Sequence, residues 1–302
     1  MNKQIAFSSA PLGHQILGVD IAAGVSDEQF KQVADTFDKY GVVVLRNQKI
    51  TPEQHIEFSR RFGPTELYGI ASYLLPGHPE IFVVSNIVEN GKPIGMADAG
   101  RTWHSDMCYV TSPPRCSLLY GLEVPRDEAG EPLGDTLFAS TQAAYDALSP
   151  EMKEKVEGLK VRNSYATNVE RKQKFSTVSE KAQVERLKNQ QKFPDVIHSL
   201  VRKHPITGRK CLYLSEGLSV AIEGWPPEES DKFINEMLAY MIRPEFVYRH
   251  RWCEGDLLIW DNCSAIHLAI PDFAADNRRR MHRTTILYED SIEQGQLAAA
   301  AA

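Results

Sequence analysis

The residues Trp103-His104-Ser105-Asp106 form the pattern in this chain best suited to metal chemistry. On an extended segment residues i and i+2 project to one face, so His104 and Asp106 can grip one ion from a single short stretch. His267, just after the apolar run LLIWDN, is the candidate third ligand. Two imidazoles and one carboxylate leave other positions of an ion open, which suits iron(II) and dioxygen; the same donors also suit zinc. A His-x-Asp triplet is weak by itself in a chain with 9 histidines and 40 acidic residues. Arg279 and Arg283 add weight, because a strand through 279–285 would turn both to the same side as Thr285. A planar guanidinium there clamps a carboxylate through parallel hydrogen bonds, and the hydroxyl of Thr136 could add another. The competing reading of Arg278-Arg279-Arg280 is a solvated basic patch.

These side chains need a rigid frame, and the punctuation of the chain suggests one built mainly from strands. A helix is expected from Ser26, with Gln29 three residues on, and a second from Thr51, with Pro52 at its first position and Gln54 following. Between them Gly41–Arg46 (GVVVLR) reads as a strand. Short apolar runs at Glu80–Val84, Cys116–Leu122 and Thr136–Ala139, separated by Pro, Gly and Asp, suggest strands of a sandwich. The pattern is helical over Ser140–Leu159 and again from Pro227 to Tyr240. Strands follow at Glu245–Trp252 and Leu257–Asp261 around a turn at Glu254-Gly255-Asp256, and period-two alternation is plausible over Arg280–Leu287. The polar run Ser176–Phe193, within a helical insert around 165–200, fits either a solvated helix or a mobile lid. One catalytic domain over residues 1–290 is expected, with the terminal LAAAAA (297–302) set aside as a cloning scar or frayed end.

Composition excludes several classes. Hydrophobic residues at 42% and charged residues at 25% are globular values, and no run approaches the roughly 18 apolar residues of a membrane span. A net charge of −6 argues against generic nucleic-acid binding. Five cysteines without a CxxC pair suit reduced thiols, and with no visible secretion signal the expectation is a cytoplasmic protein.

Several motifs taken together resemble the family of taurine dioxygenase and 2,4-dichlorophenoxyacetate dioxygenase. They are the WHSD run, Gly134-Asp135-Thr136, FVYRHRW at 246–252, Gly255-Asp256, Trp260-Asp261-Asn262, His267 and RRMHRT at 279–284. Early family-like features are GVVVLR, Thr51-Pro52-Glu53-Gln54 and Arg61-Phe62-Gly63, so the resemblance runs from about residue 15 to 288. It implies a mainly β fold with flanking helices around a double-stranded β-helix, a cupin-like jelly roll. It also implies an enzyme using iron(II), 2-oxoglutarate and dioxygen to hydroxylate a small organic anion, with release of succinate and CO2. By the same resemblance His104, Asp106 and His267 match the iron ligands, and Thr136 and Arg279 match the positions that bind the far carboxylate of 2-oxoglutarate. Trp260 matches an aromatic lining that pocket, and Arg283 an arginine that meets the substrate anion. Family precedent further implies a homo-oligomer, a dimer or tetramer, with neither nucleic acid nor membrane as partner.

The departures bear on substrate. The loop Tyr68–Leu75 (YGIASYLL) lacks the histidine that helps hold sulfonate in taurine dioxygenase, and Gly100 stands where that enzyme has an asparagine. Tyr68, Ile70, Tyr73 and Leu74 would give an apolar wall for an aryloxyalkanoate, sulfonate, alkyl sulfate or acylated amino acid; equally they could be core packing. His198, His204, His250 and His282 read as packed or surface histidines, and Cys108 as a small buried thiol. Two alternatives stay open: a metal-dependent hydrolase or isomerase with the same donors, and a non-catalytic metal-binding jelly roll, neither of which needs Arg279 and Thr136.

Overall fold

The computed structural model describes residues 5–67, 71–166 and 193–290. Tyr68, Ile70 and nearly all of the polar run 176–193 lie outside the described residues. The alternation of Val42-Val43-Val44-Leu45 shows how the layers are built. Val42 and Val44 point inward with Leu119, Leu258, Trp260 and Met281, where they meet Phe138 and Ala265 of a second sheet. Val43 and Leu45 point outward with Leu118, Leu257 and Ile259, and are covered by Val33 and Phe37 of the helix Asp27–Tyr40 and by Phe58 of the helix Pro52–Arg60. Both faces of these strands are buried, which is why their sequences read as continuous apolar runs.

The large sheet has eight strands in the order Ile5–Ala6, His14–Ile16, Val42–Leu45, Leu257–Asp261, Cys116–Glu123, Arg280–Ile286, His78–Ser85 and Leu74–Leu75. Neighbours run antiparallel except His14–Ile16 against Val42–Leu45. The smaller sheet places Thr136–Ser140 between Val247–His250 and Ala265–Ala269. Its outer residues Ala139 and Ile266 pack on Ala144 and on Phe233 and Met237 of the helix Pro227–Met241. Two facing sheets covered by helices on both outsides make the expected jelly roll. Among the described residues no helix is long and apolar enough to cross a membrane.

Local chemistry explains the boundaries. Ser26 with Gln29, and Thr51 with Gln54, form reciprocal capping boxes at the two expected helix starts. The helix expected over Ser140–Leu159 is instead two, Thr141–Asp146 and Pro150–Val156. Pro150 cannot extend the preceding turn, and Ser149 caps the new helix by accepting from the Met152 N–H. The expected strand at Glu245 begins only at Val247, because Pro244–Phe246 forms a 3-10 turn.

Gly255 makes the turn that joins Val247–His250 to Leu257–Asp261. Its φ is 84°, and a Cβ there would lie 2.7 Å from the carbonyl oxygen of Gln48. That carbonyl belongs to backbone that is itself pinned, since the Gln48 N–H donates to Gly255 O at 2.7 Å. Gly255→Ala should therefore cost more than the roughly 1–2 kcal/mol of left-handed backbone strain alone, read as a lowered urea midpoint with an unchanged m-value.

Candidate active site

Backbone pairing brings the two imidazoles together. His104 and His267 form an isolated antiparallel bridge, with the His104 N–H donating to His267 O at 3.1 Å and the His267 N–H to His104 O at 2.8 Å. Residues directly opposite in such a pair project to one face, and the ring centroids lie 4.2 Å apart. His267 is fixed from behind by the ring of Phe138, stacked at 5.7 Å, and by Trp260 at 4.8 Å.

Asp106 completes the set: the candidate ligand atoms of His104, Asp106 and His267 all lie within 4.8 Å of one another. The segment is a bridge leading into a turn rather than a regular strand. Met107 has φ of 50°, and the chain turns away after Asp106. Cys108 accordingly packs with Tyr213 and Leu218, where burial pushes its thiol up to about 12.

The protonation states fit a divalent cation. Nδ1 of His104 is 2.7 Å from Thr102 O, which assigns the proton there and leaves the Nε2 lone pair facing Asp106 Oδ1 at 3.7 Å. Burial, reinforced by His104, holds His267 neutral well below the usual imidazole range. Burial opposes the charge of Asp106, but the Arg283 guanidinium beside it outweighs burial and holds the carboxyl far below its ordinary value. A neutral imidazole at His267 and an ionised carboxylate at Asp106 are forms that bind metal.

Arg283 reaches Asp106 directly, Nη1 to Oδ1 at 3.0 Å, and its guanidinium lies 5.1 Å from the Phe82 ring. Tyr73 packs edge-on against Phe82 at 6.2 Å, and Leu74 and Met96 border the same cluster. The wall and core readings of Tyr73 therefore merge, since it braces a ring that Arg283 covers. Met281, between the two arginines, points inward.

Arg279 is buried, while its neighbour Arg278 is exposed and paired with Glu123 at 2.7 Å and 3.1 Å. The solvated-patch reading thus holds for Arg278 and fails for Arg279. The Arg279 backbone is held by Asn86 Oδ1 at 2.8 Å and by the Ser85 hydroxyl at 2.8 Å, while its Nε has no partner. Burial pushes its guanidinium down to about 10, with Asp272 acting the other way. Gly134 passes so close that a Cβ there would be 3.2 Å from Arg279 Nε. Two residues on, Thr136 Oγ1 accepts from Trp252 Nε1 at 3.0 Å, which leaves its own hydroxyl proton to donate. Trp260 Nε1 is buried without a partner.

His198, His204, His250 and His282 are packed as expected: His204 against Asp261 at 2.9 Å, His250 against Asp256 at 3.1 Å, His198 against Val110 O at 3.0 Å, and His282 buried with opposite parity to Arg283. Several site residues escaped the sequence. Ser117 donates to Asp106 Oδ2 at 2.6 Å from inside an apolar strand that gave no signal, and Phe138 is hidden in the same way. Trp252 and Asn262 lay within recognisable motifs without an assigned role. Outside these contacts, Glu66 donates its N–H to Thr285 O at 2.8 Å beside the Thr65–Ile286 bridge, and burial pushes its carboxyl up to about 7.

A family model described as "Taurine catabolism dioxygenase TauD, TfdA family" matches residues 5–285. The chain belongs to this family. The TauD/TfdA dioxygenases are 2-oxoglutarate-dependent iron enzymes, and this chain is one of them. It is 31% identical to a pentalenolactone F synthase of Streptomyces arenae over 97% of each chain. It is 32% identical to the alpha-ketoglutarate-dependent 2,4-dichlorophenoxyacetate dioxygenase of Cupriavidus pinatubonensis, covering 91% of this chain and 93% of that one. The crystal structure of a putative alpha-ketoglutarate-dependent taurine dioxygenase from Burkholderia xenovorans superposes with a TM-score of 0.77 at 30% identity, covering 94% of this chain and 92% of that one. The structure of AAD-2 in complex with Mn(II) and N-oxalylglycine superposes at 0.75 with 28% identity, covering 93% and 96%.

Removing His267 leaves Asp106 and His104 without the third donor. His267→Ala should weaken Mn(II) binding by more than the ~10–100-fold typical of losing an outer-shell partner, measured by titrating metal-free protein and following free Mn(II) by electron paramagnetic resonance. For Glu66 the folded carboxyl holds its proton to about 7 against an ordinary 4.5, so its stabilising effect is complete below pH 4.5 and is lost as pH rises towards 7. Glu66→Gln should raise the melting temperature at pH 8, with the gain vanishing near pH 4.5; equal gains at both would disprove the assignment.

Proposed function

We propose that this chain hydroxylates a small organic anion with an apolar body, using His104, Asp106 and His267 to hold iron(II). Thr136, Trp260 and Arg279 would bind 2-oxoglutarate, and Arg283, Tyr68 and Tyr73 would contact substrate. The observation that carries the reading is the buried guanidinium of Arg279 with an unpartnered Nε, four residues before Arg283, which pairs with Asp106 of the candidate metal triad. An isolated buried charge costs several kcal/mol, and a bound carboxylate offsets that cost through charge-assisted hydrogen bonds. A zinc hydrolase or a non-catalytic jelly roll needs the three metal donors but not this second feature.

The bound iron and 2-oxoglutarate supply the oxidising power for C–H hydroxylation, with succinate and CO2 as the other products. The chain's own residues bind, orient and keep water out. Arg279 and the free hydroxyl proton of Thr136 receive the far carboxylate, and the Trp252 indole fixes the Thr136 rotamer. Phe138 and Trp260 shield His267 from solvent. Arg283, held between Asp106 and the Phe82 ring, presents positive charge beside the metal site, and Tyr73, Leu74 and Met96 supply the apolar boundary. This combination favours an anion with an aromatic or aliphatic body, such as an aryloxyalkanoate, over a small polar sulfonate; alkyl sulfates and acylated amino acids share that chemistry.

We extend the proposal to one catalytic unit over residues 1–290 that works as a dimer or tetramer in the cytoplasm, with neither nucleic acid nor membrane as partner. Free cysteines, four of them buried, are consistent with a reducing compartment.

Anaerobic titration with iron(II) and 2-oxoglutarate tests the assignment. The weak visible charge-transfer band of the chelate should appear with the unaltered protein and be missing with Asp106→Ala. Arg279→Ala should raise the 2-oxoglutarate requirement at least about tenfold, the consequence of losing hydrogen bonds to a charged group, while substrate affinity stays put. A shift confined to substrate would mean that Arg279 and Arg283 have exchanged roles.

A further inference from the structure

Asp106 offers two oxygens, and the fold treats them differently. Oδ1 lies 3.7 Å from His104 Nε2 and also accepts from Arg283 Nη1 at 3.0 Å. Oδ2 accepts from Ser117 Oγ at 2.6 Å, the length of a strong charge-assisted hydrogen bond. Ser117 is fully buried and sits within the strand Cys116–Glu123, between Trp260 on one neighbouring strand and Thr285 on the other. Its hydroxyl oxygen faces the side-chain amide of Asn262 at 3.4 Å. Asn262 is tied back to the ligand segment, because its carbonyl accepts from the Ser105 hydroxyl at 2.6 Å and its N–H donates to Arg115 O at 3.0 Å. Ser105, Asp106, Ser117 and Asn262 thus form a closed ring of contacts behind the carboxylate, away from the imidazoles.

We propose that Ser117, oriented by Asn262, is a positioning residue that keeps Asp106 a one-oxygen ligand. A carboxylate free to rotate can take an ion with both oxygens. With Oδ2 held against the strand by Ser117 the carboxylate cannot swing round, so Oδ1, on the side of His104 and Arg283, would be the oxygen offered to an ion, leaving the ion's other positions for 2-oxoglutarate and dioxygen. A second carboxylate oxygen would fill one of those positions. The inference rests on the triad reading and adds to it a reason for the open coordination that the reaction requires.

The test counts water on bound metal. Mn(II) is added to the full chain, and its inner-sphere waters are counted from the broadening of the electron paramagnetic resonance lines in oxygen-17 water. Ser117→Ala should bind Mn(II) within about tenfold of the unaltered protein but carry one water fewer, and Ser117→Thr, which keeps the hydroxyl, should restore the count. An unchanged count in Ser117→Ala overturns the proposal. So does loss of Mn(II) binding in Ser117→Ala with normal behaviour of Ser117→Thr, since the hydroxyl would then serve affinity rather than denticity. If Ser117→Ala fails to fold, Ser117→Cys takes its place with the same outcomes, a thiol being a weak donor. Failure of the triad reading looks different: His267→Ala would then bind Mn(II) as the unaltered protein does.

Discussion

Two backbone hydrogen bonds between His104 and His267 are the constraint on which the site depends. Each contributes on the order of 1 kcal/mol, yet together they determine whether two imidazoles from distant parts of the chain can share one ion. Because side chains alternate along a strand, a slip of one residue would turn one ring away. The register is held by packing rather than by the bridge alone. Phe138 stacks on His267 from the adjacent strand, and Trp260 and Ala265 lock the small sheet onto the large one in the same buried cluster.

Around that bridge the protein keeps charges it could have avoided. Asp106 and Arg283 form a buried pair whose attraction roughly offsets the desolvation of both. Arg279 is buried with its Nε unpartnered, and burial opposes its charge. One arginine therefore pairs with a candidate metal ligand while the other is buried without such a pair, although the two are only four residues apart. Ser117 belongs with the first: it completes the environment of Asp106 on the side that Arg283 does not reach.

Much of this was legible in the residues. The i, i+2 spacing of His104 and Asp106, the capping boxes at Ser26 and Thr51, the glycine turn at 255 and the shared parity of Arg279 and Arg283 all follow from local rules. A local sequence can express such rules because they concern a few neighbouring residues. The misplaced boundaries have local causes too. Pro150 broke an expected helix and Pro244 delayed an expected strand, each by fixing φ and removing an N–H.

What only the tertiary structure decided is which groups meet across the sheets. Ser117 reads as one polar residue in an apolar strand until the fold sets it 2.6 Å from Asp106, and Trp252 is only part of a motif until its indole reaches Thr136. Arg278 and Arg279 are adjacent and chemically identical, yet one is solvated beside Glu123 and the other is buried. The sequence by itself determined the donor types, their spacing and the strand periodicity. Long-range pairing and burial decided their protonation, their partners and their roles, because those depend on desolvation and on contacts between residues far apart along the chain.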